Sequence, residues 1–190
     1  MKDQAKILAV LVFGSLSLLA ASGGAIHAAT RQGGASSHAE LVEQGRQVFR
    51  YDTFGDEIKW TDLLHMNEVI ATEVSPKTAL SVGLKVDVDA LPESVKQGIV
   101  DGTVNLDDPA TTVALLKLGA VVGMQGTVTD VGGVQTLTRV GVTCALCHST
   151  VDNAFAPGIG HRLDGWPNHD LNPGAIVALS PALSAAQKAQ

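Results

Sequence analysis

Polar and apolar positions along the chain separate into helical and extended patterns. Leu41, Val42, Val48 and Phe49 fall on one face at helical intervals. Ser37 precedes them, with Glu40 three residues later, the pattern of a capping box. Together these predict a helix over residues 38–50. Leu63, Leu64, Val69 and Ile70 repeat the helical spacing, with Thr61 or Asp62 as the expected cap. Residues 75–92 read as extended, because Leu84, Val86 and Val88 alternate with polar neighbours. A short helix over 92–101 is expected to end at Gly102. The next has sharper ends: Asp108 caps it, Pro109 takes the first turn and Gly119 stops it. Two β-rich runs, 121–129 and 134–142, flank "DVGG" and predict a hairpin that leads directly to Cys144. At the C-terminal end Ser180 and Pro181 predict one more short helix.

The first segment has a different pattern. Lys2 and Lys6 precede the apolar run 7–21, and small residues follow in "SGGAIHAAT". That is the three-part form of a secretory signal peptide over residues 1–29. The apolar run is shorter than the roughly 20 residues a membrane span needs. A stable span is therefore not expected after cleavage. Residues 30–37 are rich in Gly and Ser and read as a flexible linker. The domain itself is expected over 38–190.

Charge narrows the partners. The chain carries 13 basic and 19 acidic side chains. Removing Lys2, Lys6 and Asp3 with the leader leaves 11 and 18. This acidic balance argues against nucleic acid and against an anionic membrane surface. Aromatic residues make up only 4% of the chain, so a large prosthetic group could supply core volume that side chains do not.

Candidate chemistry is concentrated in "CALCH", residues 144–148, which contains the only two cysteines. C-x-x-C-H is the attachment sequence for haem c. On a helical turn, Cys144, Cys147 and His148 stand at i, i+3 and i+4 and share a face. Each thiol can add to one vinyl group, and His148 is then placed to ligate the iron. Competing readings are a plain Cys144–Cys147 disulfide, a thioredoxin-like pair, and a zinc site that adds His161. The thioredoxin-like pair wants a βαβ setting that the hairpin does not provide. Adjacent Cys147 and His148 rarely serve one tetrahedral ion.

The stretch "CALCHSTVDNAFAPGIGHRLDGW" resembles the haem-binding region of class I c-type cytochromes, and "GRQVF" (45–49) is similar to that family's first helix. The resemblance implies a mostly α, cytochrome c-like helical haem domain with one covalent haem c. It implies that Cys144 and Cys147 anchor the ring, His148 ligates the metal, and the Pro157 carbonyl orients His148. It also makes Arg162 and Trp166 candidates for a propionate or the haem edge. Residues 50–143 separate the two matching pieces, so the segment 51–143 is read as an inserted α+β segment containing the hairpin. "FGDE" followed by a Trp is similar to larger bacterial multi-domain cytochromes. No Met follows His148, so the candidates for the second axial ligand are Met124, His169, His161 and Met66, with His65 further off and an open iron equally open. The expectation is an exported, periplasmic carrier of single electrons between redox protein partners. The alternative is an open-site, peroxidase-like enzyme or a sensor of diatomic gas.

Overall fold

Ser37 and Glu40 close the first helix on each other: the Ser37 hydroxyl accepts from the Glu40 amide, and the Glu40 carboxylate accepts from the Ser37 amide. The computed structural model describes residues 37–189. The expected signal peptide, and all of the expected linker except Ser37, lie outside the described residues. The capped helix, α1 (His38–Tyr51), ends within one residue of the prediction. It buries no residue fully, although Phe49 is half-buried.

A short π-helix, Ile58–Leu63, follows, then α2 (Met66–Thr72). The expected cap at Thr61 or Asp62 is replaced by His65, which takes a left-handed backbone with φ of 52°. Thr61 is instead buried, and its hydroxyl accepts from the Val140 amide on the hairpin. The stretch expected to be extended is largely helical. Ser75 caps α3 (Pro76–Ser81) with Pro76 in the first turn, the start signal that the later alternation obscured. Only β1 (Val86–Asp87) is strand, and a single 3₁₀ turn, Val88–Ala90, succeeds it.

α4 (Glu93–Val100) and α5 (Pro109–Lys117) end close to their predicted stops, and Asp108 caps α5 through the Ala110 amide. The hairpin pairs β2 (Met124–Val131) with β3 (Val134–Val142), with a register shift between Thr127 and Val128. Beyond it come the single turn α6 (Ala145–His148), then β4 (Ser149–Val151), β5 (Ile159–Gly160) and β6 (Arg162–Asp164). β4 pairs antiparallel with β6, and β5 pairs parallel with the distant β1. Two short helices complete the chain. α7 (Pro173–Ala178) is capped by Asn172, and α8 (Ala185–Lys188) is capped by Ser184 rather than Ser180. Ser180 is buried and donates to the Leu64 carbonyl.

The expectation of a mostly α, cytochrome c-like domain is therefore corrected. The described residues form a mixed α/β fold with three two-stranded sheets. The physical reason lies in the core. Met66, Val69, Ile70, Val113, Leu115, Leu116, Leu137 and Val140 are buried together where α2 and α5 pack on the hairpin. Residues 51–143, read as an insertion, supply most of this apolar mass, so they form the body of the domain. The chain after Cys144 pairs as short strands instead of continuing as a long helix. Among the described residues, no helix is long and apolar enough to cross a membrane.

Candidate functional site

The hairpin delivers the motif to one turn. β3 ends at Val142, the Leu146 amide donates to the Thr143 carbonyl, and the His148 amide donates to the Cys144 carbonyl at 3.2 Å. Cys144, Cys147 and His148 thus share one face of α6, as the spacing predicts. Both cysteines are free thiols; Cys147 and His148 are exposed and Cys144 is half-buried.

The turn is braced from several elements. The Thr143 amide donates to the Gly123 carbonyl at 3.0 Å, and the Thr143 hydroxyl donates to the Arg50 carbonyl at 3.2 Å. The Gly165 amide donates to the His148 carbonyl at 2.8 Å, and the Asn168 amide to the Cys147 carbonyl at 2.9 Å. Ala145 is fully buried with Val122 and Val151, and Phe49 of α1 packs on that cluster. The "GRQVF" helix therefore meets the motif turn itself. Asp56 of "FGDE" joins in: its Oδ1 accepts from the Val142 amide at 3.1 Å, and its Oδ2 accepts from Trp60 Nε1 at 2.7 Å.

Immediately beneath the turn lies a charged cluster that sequence reasoning found only in part. Asp164 accepts from Ser149 Oγ at 2.7 Å, Arg50 Nε at 2.6 Å and Arg162 Nε at 2.9 Å. Burial opposes the charge on Asp164. The hydrogen bonds from Ser149 and Arg50, with the charges of both arginines, outweigh it and hold its pKa below the usual carboxylate range. Burial pulls the Arg162 pKa down, against the attraction of Asp164. The Arg162 side chain is only 3% exposed, and its Nη2 is buried without a hydrogen-bond partner. Asp164 is the carboxylate bonded to both guanidiniums, and the charge of Asp87 also acts on Arg162.

An apolar cavity of about 90 Å³ opens beside the turn. Cys147 and Leu146 form part of its wall, with Trp60, Met66, Met124 and Ile176 among the others. A smaller void of about 30 Å³ shares Met66, Leu84, Met124 and Ile176 with it.

The remaining predicted residues are dispersed. Met66 and Met124 are both buried and both line the cavity at Cys147. His161 is exposed at another surface, where its Nδ1 lies 2.9 Å from Asp89. That contact raises its pKa. It stands apart from the cysteines, and among the described residues no cluster of three or more His, Cys, Asp or Glu is positioned to hold a metal ion. His65 is exposed and lies against Glu68, and His169 is exposed in the loop before α7. Pro157 lines an open pocket with Lys77, Lys85 and Asp170, and no hydrogen bond joins its carbonyl to His148 among the described residues. Trp166 is 63% exposed and directly follows Gly165, which holds the His148 carbonyl.

Covalent haem can be tested against this donor set. The thiols are uncrosslinked, the imidazole of His148 makes no side-chain hydrogen bond or ion pair among the described residues, and Cys147 and His148 are exposed with Cys144 half-buried. The orphaned Arg162 donor matches an anionic group such as a propionate. The residues present fit the group. Arg50, Ser149, Asp164 and Gly123 were not singled out from sequence, because their link to the motif is made only by packing. The chain matches no protein-family model, no curated protein and no solved structure.

Proposed function

We propose that the protein is an exported monohaem c-type cytochrome that passes single electrons between redox protein partners in the periplasm. The observation that carries this reading is the face of α6. Two free thiols and an imidazole stand at i, i+3 and i+4 on a turn braced by Gly123, Arg50, Gly165 and Asn168. A haem bound there supplies an iron that cycles between ferrous and ferric states.

The chain's own residues do the rest. Cys144 and Cys147 would hold the ring by thioether bonds, so that it is not lost outside the cytoplasm. His148 ligates the metal. The backbone bonds from Gly165 and Asn168 keep the imidazole-bearing turn from moving, which limits reorganisation when charge changes. Arg162, which shares Asp164 with Arg50, would offer positive charge to a propionate. Cys147 and His148 are exposed, so a partner protein could approach the turn that would hold the group.

The test is the intact mass of the protein recovered from the periplasm of a host that matures c-type cytochromes. The expected product is the processed chain plus one haem. A C144A/C147A double variant should lose that addition. Wild-type protein weighing only as much as its amino acids, beside a control cytochrome that is correctly matured in the same cells, defeats the proposal.

A further inference from the structure

The cavity beside the motif turn has properties that the attachment chemistry does not use. Packed interiors rarely leave voids larger than a water molecule. This one is about 90 Å³, several times the space a single water requires. Its lining is apolar: Trp60, Met66, Leu84, Met124, Leu171 and Ile176 are the principal side chains. Water needs two to four polar partners to occupy such a site, and an apolar void of this kind stays dry and takes up nonpolar guests.

Access and extent are also visible. Cys147 of the motif turn and Pro173 of α7 belong to both the molecular surface and the cavity wall. Met66 and Met124 stand between this cavity and the smaller void. Unbranched thioether side chains re-pack readily, so these two residues form a wall that can yield to a guest. Trp60, also in the lining, is held by the bond from its indole nitrogen to Asp56.

We infer that this cavity binds a small nonpolar molecule of diatomic-gas size, such as dioxygen, nitric oxide or carbon monoxide. The cavity's dry lining and volume select against ions and polar metabolites, which would lose hydration without gaining a partner. That the guest sits beside an iron rests on the proposed haem attachment. That the cavity takes a nonpolar guest does not.

Xenon is the probe, applied to the full-length purified protein and followed by ¹²⁹Xe NMR. Saturable binding is expected. Leu171→Phe narrows the cavity, and Val142→Ile, a gentler filling change at another wall, guards against a variant that does not fold. Each should weaken xenon binding several-fold while circular dichroism stays unchanged. No saturable binding to the wild type overturns the inference. So does binding that both folded variants retain at full strength, because the xenon would then lie elsewhere. Haem content measured on the same samples separates the two ideas. Xenon binding by haem-free protein from a host that correctly matures a control cytochrome sinks the cytochrome reading and leaves the cavity intact.

Discussion

Gly123 and Leu146 meet backbone to backbone. A Cβ built on Gly123 would overlap the amide nitrogen and Cα of Leu146, the central residue of the motif turn. Gly123 also has a φ of 77°, a conformation that residues with a side chain rarely adopt. The first residues of the hairpin therefore form the seat against which α6 rests. Gly123→Ala must strain the backbone and displace the turn. It is expected to cost on the order of 1–3 kcal/mol from the backbone conformation alone. Thermal unfolding and a covalent haem stain check this: melting temperature and haem yield should fall together. Wild-type values for both would mean the seat is not needed.

Asp164 keeps two guanidiniums in place under the motif. Asp164→Asn removes the carboxylate that bonds both Arg50 and Arg162 and is expected to destabilise the fold by about 1–3 kcal/mol, the cost of leaving partly buried donors without their acceptor. Arg162→Gln should cost less, since Arg50 still satisfies the carboxylate. Denaturant titrations of the two variants give the order, and the reverse order would show that Asp164 is not the centre of the cluster.

The lowered pKa of Asp164 also has a pH signature. Its folded value lies below its unfolded value of about 4, so its contribution is fully present above that pH. The contribution is lost as pH falls through the lowered folded value. Acid unfolding followed by tryptophan fluorescence should show a stability loss below about pH 4 that is shallower in Asp164→Asn. Identical acid limbs would remove Asp164 from the account.

His161 runs in the opposite direction. Its hydrogen bond to Asp89, helped by that carboxylate's charge, raises its pKa. The stabilisation is therefore complete below its unfolded value of about 6.5 and fades as pH rises through the raised folded value. Both groups are more than half exposed, so the effect is small and screened by salt. NMR titration of the His161 ring should show an elevated midpoint that returns toward the ordinary value in Asp89→Asn. An unchanged midpoint would show that the pair does not persist in solution.

Asp56 is expected to matter for the cavity wall rather than for charge. Its carboxylate holds both Trp60 and the Val142 amide. Asp56→Ala leaves two partly buried donors unpaired, at about 1–3 kcal/mol. Asp56→Asn keeps the oxygen that faces Val142 and should recover part of that loss. The measurement is chemical denaturation, with Trp60 emission reporting whether the indole has moved.

Local signals were legible wherever one residue type and its near neighbours decide the outcome. The Ser37–Glu40 box, Asp108 with Pro109, and the glycine turn between β2 and β3 all lie where their spacing put them. The errors share a cause. Alternation at Leu84, Val86 and Val88 reflects burial of a strand only two residues long, and the preceding Ser75–Pro76 start signal outranked it. Thr61 was diverted from capping by its bond to Val140, a contact between distant parts of the chain. The helical fold class failed because the segment after the motif found strand partners, β6 for β4 and β1 for β5, that no local pattern announces.

From its sequence alone, this protein has its motif, the shared face of that motif's three donors, and the hairpin leading into it. Helical periodicity and turn chemistry are properties of neighbouring residues. Folding in three dimensions decided what surrounds those donors: the Gly123 seat, the Arg50–Asp164–Arg162 cluster and the apolar cavity lined by Met66 and Met124. Each of these joins residues far apart along the chain. Their energies come from burial and charge proximity, which exist only once the chain has closed on itself.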